Sequence, residues 1–195
     1  QAGKLLVTGP RFSYADWHVT HAVIDIELVR MNRARSVSFR PNLRGLDSNW
    51  LGDDFEYPEI QPSSPKVSEF AWETSPSVKE EEFTRAESLA LFDYLRKSRS
   101  QGFVVSLSGG ADSAACSYLV ARLVDFATAE IGREGLLKKL SYIRGLEQAT
   151  DNKRLVHRLL ACVYQATRNS GDVTRNAART VATALGAEYF ELDVD

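Results

Sequence analysis

The chain has 195 residues but only two cysteines, Cys116 and Cys162, which are too far apart to form a C-x-x-C motif. Two such cysteines do not make a disulfide framework. Cys116 falls in a predicted helix and Cys162 in an apolar strand, so we expect both to be small buried residues in a reducing compartment. This composition predicts a cytoplasmic protein. Apolar runs never approach the about 20 residues that a membrane-spanning helix requires, which predicts that the protein has no membrane partner.

The chain also lacks an excess of positive charge. It has 24 Lys and Arg residues and 26 Asp and Glu residues, which gives a formal net charge of −2. Binding to nucleic acid depends on clustered Lys and Arg, so we expect no nucleic-acid partner. Histidine is scarce, and His18 and His21 lie near Asp16 with no third ligand in the pattern. We therefore expect no metal site there.

The most informative motif present is Ser-Gly-Gly-Ala-Asp-Ser, from Ser108 to Ser113. It follows the apolar run 103–107 and precedes an apolar-periodic segment that begins at Ala114. Adjacent glycines let the backbone turn sharply and approach an anion, and a following helix directs unpaired N–H groups at that anion. The two serines add hydroxyl groups, and Asp112 offers an oxygen ligand for the magnesium that accompanies nucleotide phosphates. The motif therefore predicts a phosphate site.

Two commoner phosphate motifs are excluded by the spacing of these residues. The P-loop has a lysine after its second glycine, and the dinucleotide fingerprint spaces its glycines differently. Here the glycines are adjacent and no lysine follows. The alternative is a plain strand-to-helix turn, because serine, glycine and aspartate are ordinary turn residues.

The second part of the chain predicts an α/β fold in which strands alternate with helices. Because such alternation gives parallel strands with right-handed crossovers, the carboxyl ends of the strands should share one edge of the sheet. We expect strands at 103–107, 161–166 and 189–194, and helices at 77–100 (capped by Ser77 with Glu80 and ended by Gly102), 114–126, 136–160 and 174–185.

A second polar loop follows the second predicted strand and should face the same cleft as the glycine motif. It contains Thr167, Arg168 and Ser170. Arg168 is suited to a bidentate contact with phosphate or carboxylate, and it is equally explained as an exposed loop arginine.

The first part of the chain is organised differently. Residues 4–8 and 22–28 predict strands, the second with an alternation of apolar and acidic residues. Residues 41–76 hold five of the six prolines and show no periodicity, which is typical of a connecting segment. Its aromatic side chains favour a connector that docks on other parts of the protein.

The motif after the apolar strand resembles the signature of the ATP pyrophosphatases, or PP-loop enzymes, which cleave ATP between the α- and β-phosphates and adenylate a substrate oxygen. The resemblance implies that ATP and Mg²⁺ are bound here, with Asp112 as the catalytic residue and the magnesium ligand. The ATP- or pyrophosphate-binding residues that it implies are Ser106, Leu107, Ser108, Gly109, Gly110, Ala111, Asp112 and Ser113.

Further segments are similar to the glutamine-dependent NAD synthetases. Residues 161–170 resemble the second strand and following loop of their synthetase domain, and residues 174–191 resemble the next helix and third strand. Residues 11–35 are similar to the end of a nitrilase-like amidase domain. The resemblance implies three parts: the tail of the glutaminase domain at 1–40, with its last strands, a connector at 41–76, and the first half of a Rossmann-like PP-loop domain at 77–195.

For an intact enzyme, this resemblance implies ATP-dependent amidation of deamido-NAD, with ammonia released from glutamine. It also implies a homo-oligomer, and contacts of Thr167, Arg168 and Ser170 with adenosine or substrate. Where relatives often carry two serines, this chain has Ser170-Gly171, so no hydroxyl is expected at position 171. We expect the chain to be an internal fragment that is inactive alone. The alternatives are another PP-loop amidotransferase or tRNA-modifying enzyme, or a non-catalytic module that binds adenine nucleotides.

Overall fold

The computed structural model describes residues 1–36, 38, 54, 56, 58–59, 70–168 and 170–194. Its residues form two compact units, one of residues 1–10 and 18–69 and the other of residues 11–17 and 70–195. Within the described ranges, no helix is long and apolar enough to cross a membrane. The elements are α1 (Ile26–Arg35), α2 (Val78–Ser98), β1 (Phe103–Ser106), α3 (Ala111–Lys139), α4 (Asn152–Leu159), β2 (Leu160–Ala166), α5 (Asp172–Leu185) and β3 (Glu188–Asp193).

The first unit contains a helix where the sequence predicted a strand. Residues 4–8 and 22–25 have no regular structure, and α1 begins at Ile26. The side chain of Asp25 caps this helix by accepting a hydrogen bond of 3.0 Å from the Leu28 N–H. Both predicted strands are therefore wrong, because a strand needs neighbouring strands to satisfy its backbone, whereas a capped helix satisfies its own. Most of the predicted connector, 41–76, lies outside the described residues.

The second unit is an α/β fold built on a parallel three-stranded sheet in the order β1-β2-β3. Phe103 pairs with Leu160 and Cys162 with Tyr189, which sets the register. All three strands begin or end within one residue of their predicted bounds, and their parallel pairing confirms the predicted topology. The carboxyl ends of β1 and β2 therefore lie side by side.

One face of the sheet carries the core. Leu160, Cys162 and Tyr164 point to this face and are buried, with α3, α4 and α5 packed against it. The opposite face is exposed within the described part of the chain, where Val104 is 75% exposed and Phe190 is 43% exposed. The connections from β1 to β2 and from β2 to β3 both cross on the same side of the sheet, because parallel crossovers are right-handed. Their helices, α3, α4 and α5, therefore lie on that side.

The ends of α2 differ in detail from the prediction. Ser77 precedes the helix as expected, but its side chain makes no capping hydrogen bond because its backbone is turned (ψ 31°). The helix ends at Ser98, and Arg99 takes the left-handed conformation (φ 58°) that the prediction gave to a glycine. Gly102 immediately precedes β1 instead, and a Cβ there would approach the Leu159 carbonyl oxygen to 2.7 Å.

The helix after the glycine motif is much longer than predicted. It runs from Ala111 to Lys139 and is interrupted at Gly132, whose φ of 69° and ψ of 166° are not helical. The predicted helix 136–160 is instead the end of α3, a turn, a short 3-10 helix at Leu146–Gln148, and α4. Asp151 caps α4 by accepting from the Arg154 N–H at 2.9 Å, a helix start that the apolar periodicity did not indicate.

The two cysteines differ in exposure. Cys162 is buried as predicted, but Cys116 is exposed on α3, so the prediction that both are buried is wrong for Cys116. Burial raises the pKa of the Cys162 thiol, although the nearby Ser117 hydroxyl acts in the opposite direction. The Cys162 thiol is therefore protonated and shielded at neutral pH.

We predict that a thiol reagent will label Cys116 in the native protein and leave Cys162 unmodified until the protein unfolds. The label can be located by mass spectrometry before and after addition of denaturant. Equal labelling of both cysteines in the native protein would contradict the packing of β2 described above.

Candidate phosphate site at the carboxyl edge of the sheet

The predicted phosphate loop connects β1 to α3 and is ordered by serine hydroxyl groups. The Ser108 N–H donates to Ser113 Oγ at 3.3 Å, and the Ser108 and Ser113 hydroxyls lie 3.2 Å apart. Ser108 Oγ also accepts from the Gly110 N–H at 3.3 Å. Leu107 anchors the loop, because its side chain is buried and its N–H donates to the Val163 carbonyl at 2.8 Å.

Gly109 is required by the way the loop packs. Its φ is +82°, in the left-handed region that favours glycine, and a Cβ would lie 2.6 Å from the Thr174 carbonyl oxygen and 2.9 Å from Thr174 Cα. Thr174 belongs to the first turn of α5. The glycine therefore allows the loop to pack closely against α5. This packing brings the N-terminal turns of α3 and α5 together.

Neither of these two helices has a side-chain cap. Gly110 precedes α3 and Gly171 precedes α5, both with extended backbone and no side-chain hydrogen bond to the helix. The first N–H groups of a helix have no partner within it, and they concentrate about half a positive charge. Two such ends at one edge of the sheet form a surface suited to an anion.

Asp112 lies in the first turn of α3, exposed and next to these N–H groups. A carboxylate stabilises a helix at this position, but it would repel a phosphate bound at the same end unless a cation lay between them. The described residues contain no group of three or more His, Cys, Asp or Glu side chains that could hold a metal. One carboxylate suits Mg²⁺ that is bound together with substrate phosphates, since Mg²⁺ commonly has one or two carboxylate ligands.

The second predicted loop lies at the same edge, after β2. The Thr167 N–H donates to Ser170 Oγ at 2.9 Å, and the Ser170 N–H donates to the Thr167 carbonyl at 2.8 Å. Thr167 and Arg168 are exposed, and Ser170 is half-buried. The topology thus brings the two loops to one edge of the sheet, as predicted, and Ser170 is used to close its own turn.

Three further polar residues at this edge were not found from the sequence: Gln165, Tyr164 and Thr174. Gln165 Oε1 accepts a hydrogen bond of 3.1 Å from the hydroxyl of Ser106, which was predicted, and this bond links the ends of β1 and β2. Tyr164 and Thr174 share a hydrogen bond of 2.9 Å between their hydroxyls, which ties α5 to β2. A glutamine at the end of an apolar strand was a signal available in the sequence. The pairing of Tyr164 with Thr174 required the tertiary structure.

Arg175 and Arg179 of α5 are paired with carboxylates. Glu191 on β3 forms ion pairs of 2.8 Å with both Arg175 and Arg179. Its hydrogen bond with Arg179 raises the pKa of that guanidinium, so the arginine stays cationic. Asp172, in the first turn of α5, lies 3.3 Å from Arg175. These pairs fix α5 against β3.

Known proteins resemble this chain along almost all of its length. The glutamine-dependent NAD(+) synthetase of Oryza sativa subsp. indica is 30% identical over 202 residues, which is 99% of this chain and 27% of that protein. The human enzyme of the same name is 31% identical, again over 99% of this chain and over 28% of its own length. This chain spans about a quarter of the length of the curated relatives it matches. No family model matches it.

A solved structure supports the fold. The glutamine-dependent NAD(+) synthetase from Cytophaga hutchinsonii matches 60% of this chain and 22% of its own chain, with 44% sequence identity and a TM-score of 0.56. The resemblance to the glutamine-dependent NAD(+) synthetases, first indicated by the motifs, is therefore confirmed by sequence and by structure. The α/β fold with a partial Rossmann-like sheet is confirmed as well.

The packing of the loop on α5 predicts different effects for two glycine substitutions. Gly109→Ala should destabilise the loop and the start of α3 by about 1–3 kcal/mol, because it combines a positive φ with a close contact to backbone. Gly171→Ser should change stability by only a few tenths of a kcal/mol, because serine is a good N-cap residue and a Cβ there meets nothing within 4 Å.

Hydrogen exchange of the α3 and α5 amides in the full natural protein measures both effects. Faster exchange is expected at the first turns of α3 and α5 in Gly109→Ala alone. Similar exchange in the two variants would mean that the contact between Gly109 and Thr174 does not hold the helix ends together.

Proposed function

We propose that this chain is the ATP-binding part of a glutamine-dependent NAD(+) synthetase. The observation that carries the proposal is the loop 108–113, which leads from β1 into a helix without a side-chain cap, in a chain that matches these synthetases over 99% of its length. The intact enzyme would convert deamido-NAD to NAD with ATP, and it would take ammonia from glutamine. Residues 1–40, 41–76 and 77–195 would be the tail of the glutaminase domain, the connector and the first half of the synthetase domain.

The reaction requires an activated carboxyl group because a carboxylate is a poor acyl donor. A nicotinate carboxylate oxygen would attack the α-phosphorus of ATP, and the bond from that phosphorus to the β-phosphate oxygen would break, which releases pyrophosphate. The nitrogen of ammonia would then attack the adenylated carbonyl carbon. AMP would leave with the electron pair of the broken bond, and the added nitrogen would lose a proton to give the amide.

The residues of the loop fit the stabilisation of the departing pyrophosphate. The N–H groups from Gly109 to Ser113 would donate to phosphate oxygens, with the hydroxyls of Ser108 and Ser113 beside them. Asp112 would hold Mg²⁺, which supplies positive charge that neutralises the phosphates when it is bound. Ser106 and Leu107 would position the loop, through the hydrogen bonds that they make to β2.

The second loop would contact adenosine or deamido-NAD. Arg168 is exposed at the carboxyl edge and carries the charge suited to a phosphate or carboxylate of the substrate. Thr167 lies beside it, and Ser170 supports the turn through its hydrogen bonds with Thr167. Since Gly171 offers no hydroxyl, contacts from this position would come from its backbone. We further propose that the enzyme is a cytoplasmic homo-oligomer.

The role of Asp112 predicts a large loss of turnover without a loss of structure. Asp112→Asn in the full natural protein should lower the rate of pyrophosphate release about 100-fold or more, because a neutral amide binds Mg²⁺ weakly. Glu134→Gln is the matched control, since it removes one carboxylate from an exposed position on the same helix. Pyrophosphate release and NAD formation are measured with ATP, Mg²⁺, deamido-NAD and ammonium.

Unchanged turnover in Asp112→Asn at ordinary magnesium would reject the role of this carboxylate. Pyrophosphate release that does not depend on deamido-NAD would favour another PP-loop enzyme. Nucleotide binding with no pyrophosphate release under any of these conditions would favour a non-catalytic nucleotide-binding module.

A further inference from the structure

Tyr164 is a buried residue of the central strand whose hydroxyl takes no part in the chemistry proposed above. It belongs to β2, points to the face covered by helices, and is only 3% exposed. A tyrosine hydroxyl that is buried in this way needs a hydrogen-bond partner. The partner is the hydroxyl of Thr174, in the first turn of α5, at 2.9 Å.

The direction of this hydrogen bond follows from a second contact of Thr174. The Thr174 hydroxyl also lies 3.0 Å from the Gly171 carbonyl oxygen, to which it donates. A threonine hydroxyl has a single hydrogen, so Thr174 Oγ1 accepts from Tyr164 while it donates to Gly171. The hydrogen bonds therefore run outward from the core, from Tyr164 to Thr174 and on to the carbonyl group that precedes α5.

The main chain of Thr174 makes a different contact, with the phosphate loop. Gly109 lies so close to it that a Cβ at position 109 would be 2.6 Å from the Thr174 carbonyl oxygen. Thr174 thus contacts β2 through its side chain and the loop through its backbone. A shift of Thr174 would move the surface on which Gly109 packs, because no side chain lies between them to absorb the change.

The residue before Tyr164 holds the start of the same loop. The Val163 carbonyl oxygen accepts from the Leu107 N–H at 2.8 Å. Two successive residues of β2 therefore fix the loop at two points. Val163 acts directly at Leu107, and Tyr164 acts through Thr174 at Gly109.

We infer that Tyr164 is a positioning residue for the triphosphate, because its hydroxyl, through Thr174, sets the position of Gly109 and of the N–H groups that follow it. The inference rests on the proposed function, in which these N–H groups donate to phosphate oxygens. Tyr164 is buried beneath the helices, so it affects the nucleotide only through the loop. A displacement of about 1 Å is enough to weaken the stabilisation of a transition state strongly.

The test measures two quantities in the full natural protein with Mg²⁺: the Kd of a non-hydrolysable ATP analogue by calorimetry, and kcat/KM for ATP. Tyr164→Phe keeps the buried ring and removes the hydroxyl. Thr174→Val removes the partner hydroxyl with little change of shape. Each should raise the Kd and lower kcat/KM about fivefold or more, as expected for the loss of one buried hydrogen bond.

Two matched controls should stay within about twofold of the unmodified protein in both quantities. Thr174→Ser keeps the hydroxyl that Tyr164 requires. Tyr142→Phe removes another tyrosine hydroxyl, one that donates to the Leu95 carbonyl oxygen of α2 at 2.5 Å and not to α5.

The double variant Tyr164→Phe with Thr174→Val separates one shared bond from two independent losses. If both residues act through the same hydrogen bond, the double variant should bind the analogue no more than about twofold more weakly than either single variant. A Kd in which the two single effects multiply would overturn the inference.

An unchanged Kd in Tyr164→Phe would overturn the inference as well. So would a smaller fraction of binding-competent protein at the same Kd, because it would indicate a merely structural role. If the unmodified protein binds no analogue and releases no pyrophosphate from ATP, the proposed function fails together with the inference. The other contradicting results leave the unmodified protein active and reject the inference alone.

Discussion

The N-terminal turns of α3 and α5 are held side by side by a contact between backbone atoms. Gly109 approaches the Thr174 main chain so closely that no side chain fits between them, and its positive φ turns the chain from β1 into α3. This contact places two uncapped helix ends at one edge of the sheet. The proposed chemistry depends on it, because the unpaired N–H groups of two neighbouring helix ends can share the charge of a single polyphosphate.

The core behind this edge explains why the contact is fixed. On the covered face, Cys162 of β2 is buried beside the Ser117 hydroxyl of α3, which itself donates to the Ser113 carbonyl at 3.0 Å. Tyr164 reaches the hydroxyl of Thr174 on α5 from the same strand. The central strand thus contacts both helices.

Sequence patterns predicted the parts of this molecule that local chemistry determines. The three strands, their parallel pairing and the meeting of both loops at one edge followed from the apolar runs and from the alternation of strands with helices. The patterns failed where another local feature competes with the one that was recognised. The alternation at 22–28 predicted a strand, but Asp25 caps a helix there. Ser77 and Glu80 have the spacing of a capping box, yet the turn at Ser77 keeps its hydroxyl from the helix.

In the candidate site, too, some residues could be predicted from the sequence and others could not. The motif 108–113 was recognisable because its residue types carry the chemistry of phosphate binding. Thr174 was not recognised, because its role comes from neighbours that the sequence does not identify, the main chain of Gly109 and the hydroxyl of Tyr164. The packing of Tyr14 on Phe92 could not be predicted for the same reason, since the two residues are 78 positions apart in the sequence.

The most direct test of the central claim is a crystal structure of the full natural protein with Mg²⁺ and a non-hydrolysable ATP analogue. We expect the triphosphate at the N–H groups from Gly109 to Ser113, with the Asp112 carboxylate on the metal. A triphosphate bound elsewhere, with this loop making no contact to it, would contradict the assignment of these residues.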